Sequence, residues 1–400
     1  MIERREYLKK LAAFREKDII KVVTGVRRCG KSTLFRHYID WLRSTGVTDE
    51  RIISINLDDV ANEGLLNYRR LHEYVSERLC RNGCTYVFLD EVQNCPEFER
   101  AVDSLFIKPN VDVYITGSNA WLLSGELATL LSGRYVAIEM LPFSFAEFRE
   151  TRDEAARPLD ASFNDYLRFG SFPYVASLER DAAGTEPYLE GIYNTILVKD
   201  AARRTGISDI SVLEGVVRFL ADNIGSPVST KKISDAINSS GRKISANTVD
   251  NYVRALTDSY IFYKADRYDI RGKQHLKTLS KYYIVDTGIR NLLLSASSPD
   301  TGHVLENVVY LELRRRGYRV SVGRLAENEV DFVASDMNGV SYFQVCASVL
   351  DENTLKRELA PLRQINDNYP KTLLTLDVIG AGANYSGIVQ RNLAEWLLER

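Results

Sequence analysis

No stretch of this 400-residue chain approaches the roughly 20 consecutive apolar residues that a membrane-crossing helix requires. Cysteine is sparse: five residues, odd in number and irregularly spaced. Cys80, Cys84 and Cys95 have no fourth partner at zinc-ligand spacing, which argues against a zinc ribbon and for reduced thiols. An excess of one charge is missing too. Lys and Arg number 52 against 54 Asp and Glu, a formal charge of −2. Nothing therefore pulls the whole chain toward nucleic acid, and any such binding must come from local patches. There are no internal repeats and no low-complexity tracts. The first six residues lead into a charged amphipathic segment, unlike a secretory signal, so a cytoplasmic protein is expected. With 45% hydrophobic and 26% charged residues, a chain of this length is expected to fold as two or three globular domains.

What the chain does contain is the unbroken string Gly25-Val26-Arg27-Arg28-Cys29-Gly30-Lys31-Ser32, followed by Thr33. It has the form G-x-x-x-x-G-K-S, and each element has its own task. Gly25 and Gly30 permit backbone angles and close approaches that a β-carbon blocks. The loop's N–H groups then converge on phosphates, helped by the positive end of the next helix. Lys31 neutralises the β- and γ-phosphates, and Ser32 offers its hydroxyl to Mg²⁺. The β-branched run at 18–24 predicts a strand before the loop, and 33–39 has helical spacing after it. A nucleoside triphosphate, ATP with Mg²⁺, is the expected ligand. Cys29 is too bland to take part in the chemistry, but its alkylation is expected to block the phosphates.

A second apolar run, 84–89, ends in Asp90-Glu91. Downstream of a phosphate loop this is the Walker B arrangement. Asp90 is expected to hold Mg²⁺ through water and Glu91 to polarise the attacking water, since hydrolysis needs one carboxylate on the metal and another facing the nucleophile. A third strand, 111–116, runs into Gly117-Ser118-Asn119, where Asn119 or Ser118 suits a γ-phosphate sensor. Arg134, near the end of this region, suits a finger acting on nucleotide bound by a neighbouring subunit, and so predicts an ATP-dependent homo-oligomer.

The strings VTGVRRCGKSTL, YVFLDEVQ, YITGSNAWLLSGELATLLSGRYVAIEMLPFSFAEF and KYYIVDTGIRNLL, with the stretch 303–376, resemble a family of bacterial and archaeal P-loop ATPases of the AAA superfamily. In that family the ATPase core precedes a winged helix and a C-terminal domain of unknown function related to PD-(D/E)XK nucleases. The resemblance implies an α/β fold: a P-loop AAA-like core with a helical lid, then a winged helix, then an α/β restriction-endonuclease-like domain.

The residues divide accordingly. Strand signals near 19–24, 51–57, 85–90, 111–117 and 134–139, alternating with helices, predict a mostly parallel sheet in a core of 1–150, with 141–148 marking its exit. From 151 to 210 the signals are helical, as in a lid beside the nucleotide. Residues 211–290 suit a winged helix-turn-helix, with Ser229 capping one helix, Ser245 or Asn247 capping the next at 248–260, and a wing at 261–265 and 282–285. If DNA is the partner, helix 248–260 would enter a major groove while Lys231, Lys232, Arg242 and Lys243 meet phosphates; Asp250 and Asp258 oppose this.

In the last part, 291–400, the nuclease-like resemblance maps the helix-borne Glu onto Glu306, the Asp onto Asp331 and the Glu/Gln onto Gln344. Cys346 stands where Lys is needed, and a thiol supplies neither its charge nor its donor geometry. Lys356, ten residues on, is a candidate substitute; otherwise the site is inactive. The expected protein is an ATP-hydrolysing switch whose C-terminal modules engage DNA or a protein partner. The alternatives are an ATP-gated metal-dependent nuclease and an assembly ATPase that binds no nucleic acid.

Overall fold

A computed structural model of the chain describes residues 2–120, 131, 133–151, 157–178, 182–202, 206–207, 209–294, 301–325 and 328–399. The portion of the resembling string at 121–130, Ser132, and the parts of the expected lid at 152–156, 179–181, 203–205 and 208 lie outside them. The chain divides into two compact units, Met1–Met140 with Asp258–Tyr260, and Leu141–Thr257 with Ile261–Arg400.

In the first unit, α1 (Arg5–Ala13) precedes β1 (Ile20–Thr24), α2 (Lys31–Ser44), β2 (Ile52–Asn56), α3 (Tyr68–Ser76), β3 (Thr85–Asp90), α4 (Phe98–Phe106), β4 (Val111–Gly117) and β5 (Tyr135–Glu139). The five strands form one parallel sheet in the order β2-β3-β4-β1-β5. Parallel strands are covered on both faces, which is why β1 and β3 are buried at every position rather than alternating. The two-residue period still sorts the side chains. Val87, Leu89, Val113 and Ile115 pack with Leu71 and Val75 of α3 and Phe98, Val102 and Leu105 of α4. Phe88 and Tyr114 stack on each other and meet Tyr38 of α2.

The second unit begins with α5 (Phe145–Arg149), whose start is fixed by a reciprocal cap between Ser144 and Glu147, with N–H to oxygen distances of 2.8 and 3.0 Å. Phe145 and Phe148 meet Tyr166 of α6 (Leu159–Phe169). Residues 141–150 thus group with the second unit. After α6 come α7 (Ala182–Thr195) and a π-helical stretch, Ile196–Ala202. The α6 region is tied to α11 (Thr287–Leu294): the Asp286 carboxylate accepts from the Ser171 N–H at 2.6 Å, and the Asn291 amide donates to the carbonyls of Leu167 and Arg168.

Three helices follow, α8 (Ile210–Asp222), α9 (Thr230–Ser239) and α10 (Ala246–Asp258), with Ser229 and Ser245 each accepting at 3.1 Å from the N–H three residues on. The hairpin β6 (Phe262–Asp269) and β7 (Gln274–Ile284) comes next, then α12 (Thr301–Arg315), β8 (Arg319–Leu325), β9 (Asn328–Asp336), β10 (Gly339–Val345), α13 (Glu352–Arg363), β11 (Lys371–Thr375), β12 (Asn384–Tyr385), β13 (Ile388–Asn392) and α14 (Leu393–Trp396). These strands form one sheet in the order β12-β13-β11-β10-β9-β8-β6-β7. The expected wing is therefore the edge of a larger sheet: Arg267–Asp269 of β6 pair in parallel with Val322–Arg324 of β8. That sheet spans the boundary expected at 290.

Candidate active site

The loop between β1 and α2 turns over the carboxyl end of the first sheet. Gly25 has φ +147°, and a β-carbon there would lie 2.0 Å from the Met140 carbonyl oxygen. Only glycine lets the loop pass that close to the end of β5. Gly30, immediately before α2, is left-handed at φ +107°. The Lys31 ammonium folds back on the loop, donating to the carbonyls of Gly25 at 2.9 Å and Val26 at 3.3 Å, and lies 3.7 Å from the Glu91 carboxylate. The buried Arg4, ahead of α1, donates to the Cys29 carbonyl at 3.2 Å. Arg27 pairs with Asp58 at 3.4 Å, and Arg28 is exposed.

β3 delivers the acid pair. Asp90 is buried and hydrogen-bonded by the hydroxyls of Ser32 and Thr116. Burial pushes its carboxyl above the usual Asp range, against the pull of those two hydroxyls and of Lys31. Glu91 sits in the left-handed region at φ 55°, where a side-chain-bearing residue is strained by roughly 1–3 kcal/mol. The strain is offset by a bond from its N–H to the Thr116 hydroxyl at 3.0 Å. The Gln93 amide donates to the Glu91 carboxylate, while its own oxygen is buried with no hydrogen-bond partner.

The strand order explains the convergence. β4 lies between β1 and β3, with Thr24 in register with Gly117 and Leu89 with Ile115. Thr116, Ser118 and Asn119 therefore emerge between the phosphate loop and the acid pair. Asn119 is buried there, and the buried Ser118 hydroxyl has no partner. Ser32 and Asp90 present hard oxygens in mutual contact, a donor set that fits Mg²⁺, which takes one or two carboxylates and completes its shell with water and phosphate.

Two further residues of this unit bear on the site. Cys29 is fully buried, and burial raises its thiol pKa, which disfavours the reactive thiolate. Arg134 precedes β5 at the end of the sheet opposite the loop: its carbonyl accepts from the Ile20 N–H at 2.9 Å, a strand length of roughly 15 Å from Gly25. Its guanidinium lies 3.4 Å from Asp103 and over the Phe106 ring on α4. It is no part of its own chain's site.

In the second unit, Glu306 on α12 and Asp331 on β9 come together, with Gln344 of β10 beside them. The Gln344 oxygen accepts from the Asp331 N–H at 3.4 Å and its amide donates to Glu358 at 3.0 Å. The Val345 N–H donates to the Asp331 carboxylate at 2.8 Å. Cys346 turns away, its thiol donating to the Ser348 carbonyl at 3.2 Å. Lys356 is exposed and paired with Glu352 at 2.7 Å, so it is not the substitute. The lysine at the cluster is Lys281 of β7, buried, 3.3 Å from Glu306 and 2.7 Å from Glu329. Burial would depress its ammonium, but Glu306, Asp331 and Glu329 overcome this and raise it. Burial and the Glu306 charge push Asp331 well above the Asp range.

Sequence reasoning missed Arg4, Gln93, Thr116 and Lys281. Only Gln93 had a local signal, standing two residues past Glu91 in the string YVFLDEVQ.

Residues 17–149 match the AAA domain family, and 160–300 match a domain of unknown function (DUF8612). A protein of Haemophilus influenzae, described as uncharacterized, is 39% identical over 100% of this chain and 99% of its own. One of Methanocaldococcus jannaschii, likewise uncharacterized, is 29% identical over 85% of this chain and 77% of its own. Among solved structures, a Walker-type ATPase of Pyrococcus abyssi shares the fold with a TM-score of 0.50, at 17% identity over 74% of this chain and 96% of that one. Among the described residues no helix is long and apolar enough to cross a membrane.

Proposed function

This chain belongs to the family of AAA-domain proteins that includes its Haemophilus influenzae relative, and from that premise we propose that it is a Mg²⁺-dependent ATP-hydrolysing switch. One observation carries the reading: three strand ends bring Lys31, Ser32, Asp90, Glu91 and Thr116 into one connected set of hydrogen bonds and an ion pair. On binding ATP, the Lys31 ammonium exchanges the carbonyls of Gly25 and Val26 for the β- and γ-phosphates. Ser32 and Asp90 would hold Mg²⁺, which would supply positive charge to the phosphate oxygens. Glu91 takes a proton from the water whose oxygen attacks the γ-phosphorus; the bond to the β–γ bridging oxygen breaks, and ADP and phosphate leave. Gln93 holds the Glu91 carboxylate in place, and Asn119 with Ser118 meets the γ-phosphate.

The test is phosphate release by the purified full-length chain with Mg²⁺ and ATP. The wild type should turn over, and Lys31→Ala should neither bind nor hydrolyse ATP. A wild type that binds no nucleotide would refute the reading.

Engagement of DNA by the second unit is a further part of the proposal. Lys231, Lys232, Arg242 and Lys243 are all exposed around α9 and the start of α10. The exposed face of α10 carries Asn247, Asn251 and Arg254, residue types that read adenine and guanine edges. A reading with a protein partner instead is favoured by one observation: Arg254 already pairs with Asp250 at 3.6 Å on that face. Mobility shifts of duplex DNA at several salt concentrations distinguish the two, since phosphate contacts weaken steeply with salt. Arg134 enters the proposal only as a group acting on a neighbouring subunit. Mixing Arg134→Ala with Lys31→Ala protein should then restore part of the turnover, and mixed oligomers without turnover would make it structural.

A further inference from the structure

The nuclease-like resemblance implies a divalent metal among Glu306, Asp331 and Gln344, and the donor set does not fit one. We infer that Lys281 is a tethered cation that occupies the metal's place, so that the carboxylate cluster of the second unit is closed to divalent ions. The Lys281 ammonium contacts Glu329 at 2.7 Å and Glu306 at 3.3 Å. A hard divalent ion would need those same oxygens at about 2.0–2.6 Å, and two cations do not share one set of ligands at that range.

The rest of the cluster agrees. Glu306 and Asp331 are buried, and buried carboxylates need a positive charge close by. Lys281, itself buried, supplies it from β7, within the sheet that also carries Asp331 and Glu329. The Tyr283 hydroxyl donates to the same Glu306 oxygen at 3.4 Å, so that oxygen is doubly engaged. Gln344 stands where a second strand carboxylate would strengthen a metal site, and its amide is committed to Glu358. Among the described residues, no group of three or more His, Cys, Asp or Glu is arranged to hold a metal. Cys346 is thus a secondary loss. Restoring lysine at that position would leave the cation place already taken.

The test is titration with Mn²⁺ alone, followed by the electron paramagnetic resonance of the free ion. Full-length, nucleotide-free protein carries Asp90→Asn throughout, so that the phosphate site takes no metal. The parent should take up no Mn²⁺ below millimolar concentration. Lys281→Met should gain one site, with affinity higher by about two orders of magnitude or more, because a repelling charge has left. Adding Asp331→Asn should abolish the gain, and Lys281→Arg, which keeps the charge, should show none. Uptake by the parent that Asp331→Asn removes would overturn the inference, as would a folded Lys281→Met without uptake. Should Lys281→Met not fold, the parent and Lys281→Arg decide: uptake by either overturns the inference, and its absence from both supports it.

Discussion

Replacing Glu91 with Gln removes two things at once, and they act on different measurements. The first is the acceptor for the proton of the attacking water. An amide of the same shape cannot take that proton, so turnover should fall by about two orders of magnitude or more. The second is the partner of Lys31. The two groups lie 3.7 Å apart with side chains only 3% and 13% exposed. Coulomb's law at an effective dielectric of about 20 gives roughly 4 kcal/mol for such a contact, an upper bound because Lys31 keeps its bonds to two loop carbonyls. ATP must compete with Glu91 for Lys31 in the wild type and has no such competitor in Glu91→Gln. The variant should therefore bind ATP no more weakly than the wild type, and up to about tenfold more tightly if only about 1.4 kcal/mol of that contact is recovered. Phosphate release at saturating Mg²⁺-ATP reads the first effect, and titration with a fluorescent ATP analogue reads the second. Wild-type turnover in Glu91→Gln would refute the base assignment, and weaker nucleotide binding would refute the competition for Lys31.

Gln93→Ala should lower kcat by roughly ten- to a hundredfold with KM for ATP unchanged, the cost of one hydrogen bond to a charged group that acts on the base and not on the phosphates; a change confined to KM would contradict this. Iodoacetamide should leave native Cys29 unmodified while labelling it in denaturant, and Cys29→Ala should hydrolyse ATP normally, as mass spectrometry and phosphate release will report. Acidification should weaken Mg²⁺ binding at the nucleotide site earlier than an ordinary Asp would. Burial raises the Asp90 carboxyl, so it takes up its proton, and loses its hold on the metal, at a pH above the usual Asp range. The Mg²⁺ concentration for half-maximal turnover should rise as pH falls, and a flat profile down to the ordinary Asp range would count against the role of Asp90.

The phosphate loop, the acid pair and the strands that carry them were legible in the chain because their chemistry is local. Eight consecutive residues make the loop, two make the acid pair, and an apolar run before each marks a buried strand. The helix starts at Ser229 and Ser245 were equally legible, since a cap acts on an N–H three residues away. What the sequence by itself could not decide rests on groups far apart along the backbone. Only the sheet order inserts β4 between β1 and β3 and so brings Thr116 to Asp90 and Glu91. Only the parallel register of β5 with β1 sends Arg134 to the end away from the loop. The thiol of Cys29 could point outward or inward with the same neighbours in sequence, and packing buries it. Lys281 lies 25 residues before Glu306 and outside any spacing rule for the motif, yet it reaches the carboxylates because β7 and β9 share a sheet beneath α12. Electrostatic partners are chosen by distance through space, and that distance exists only once the strands have paired.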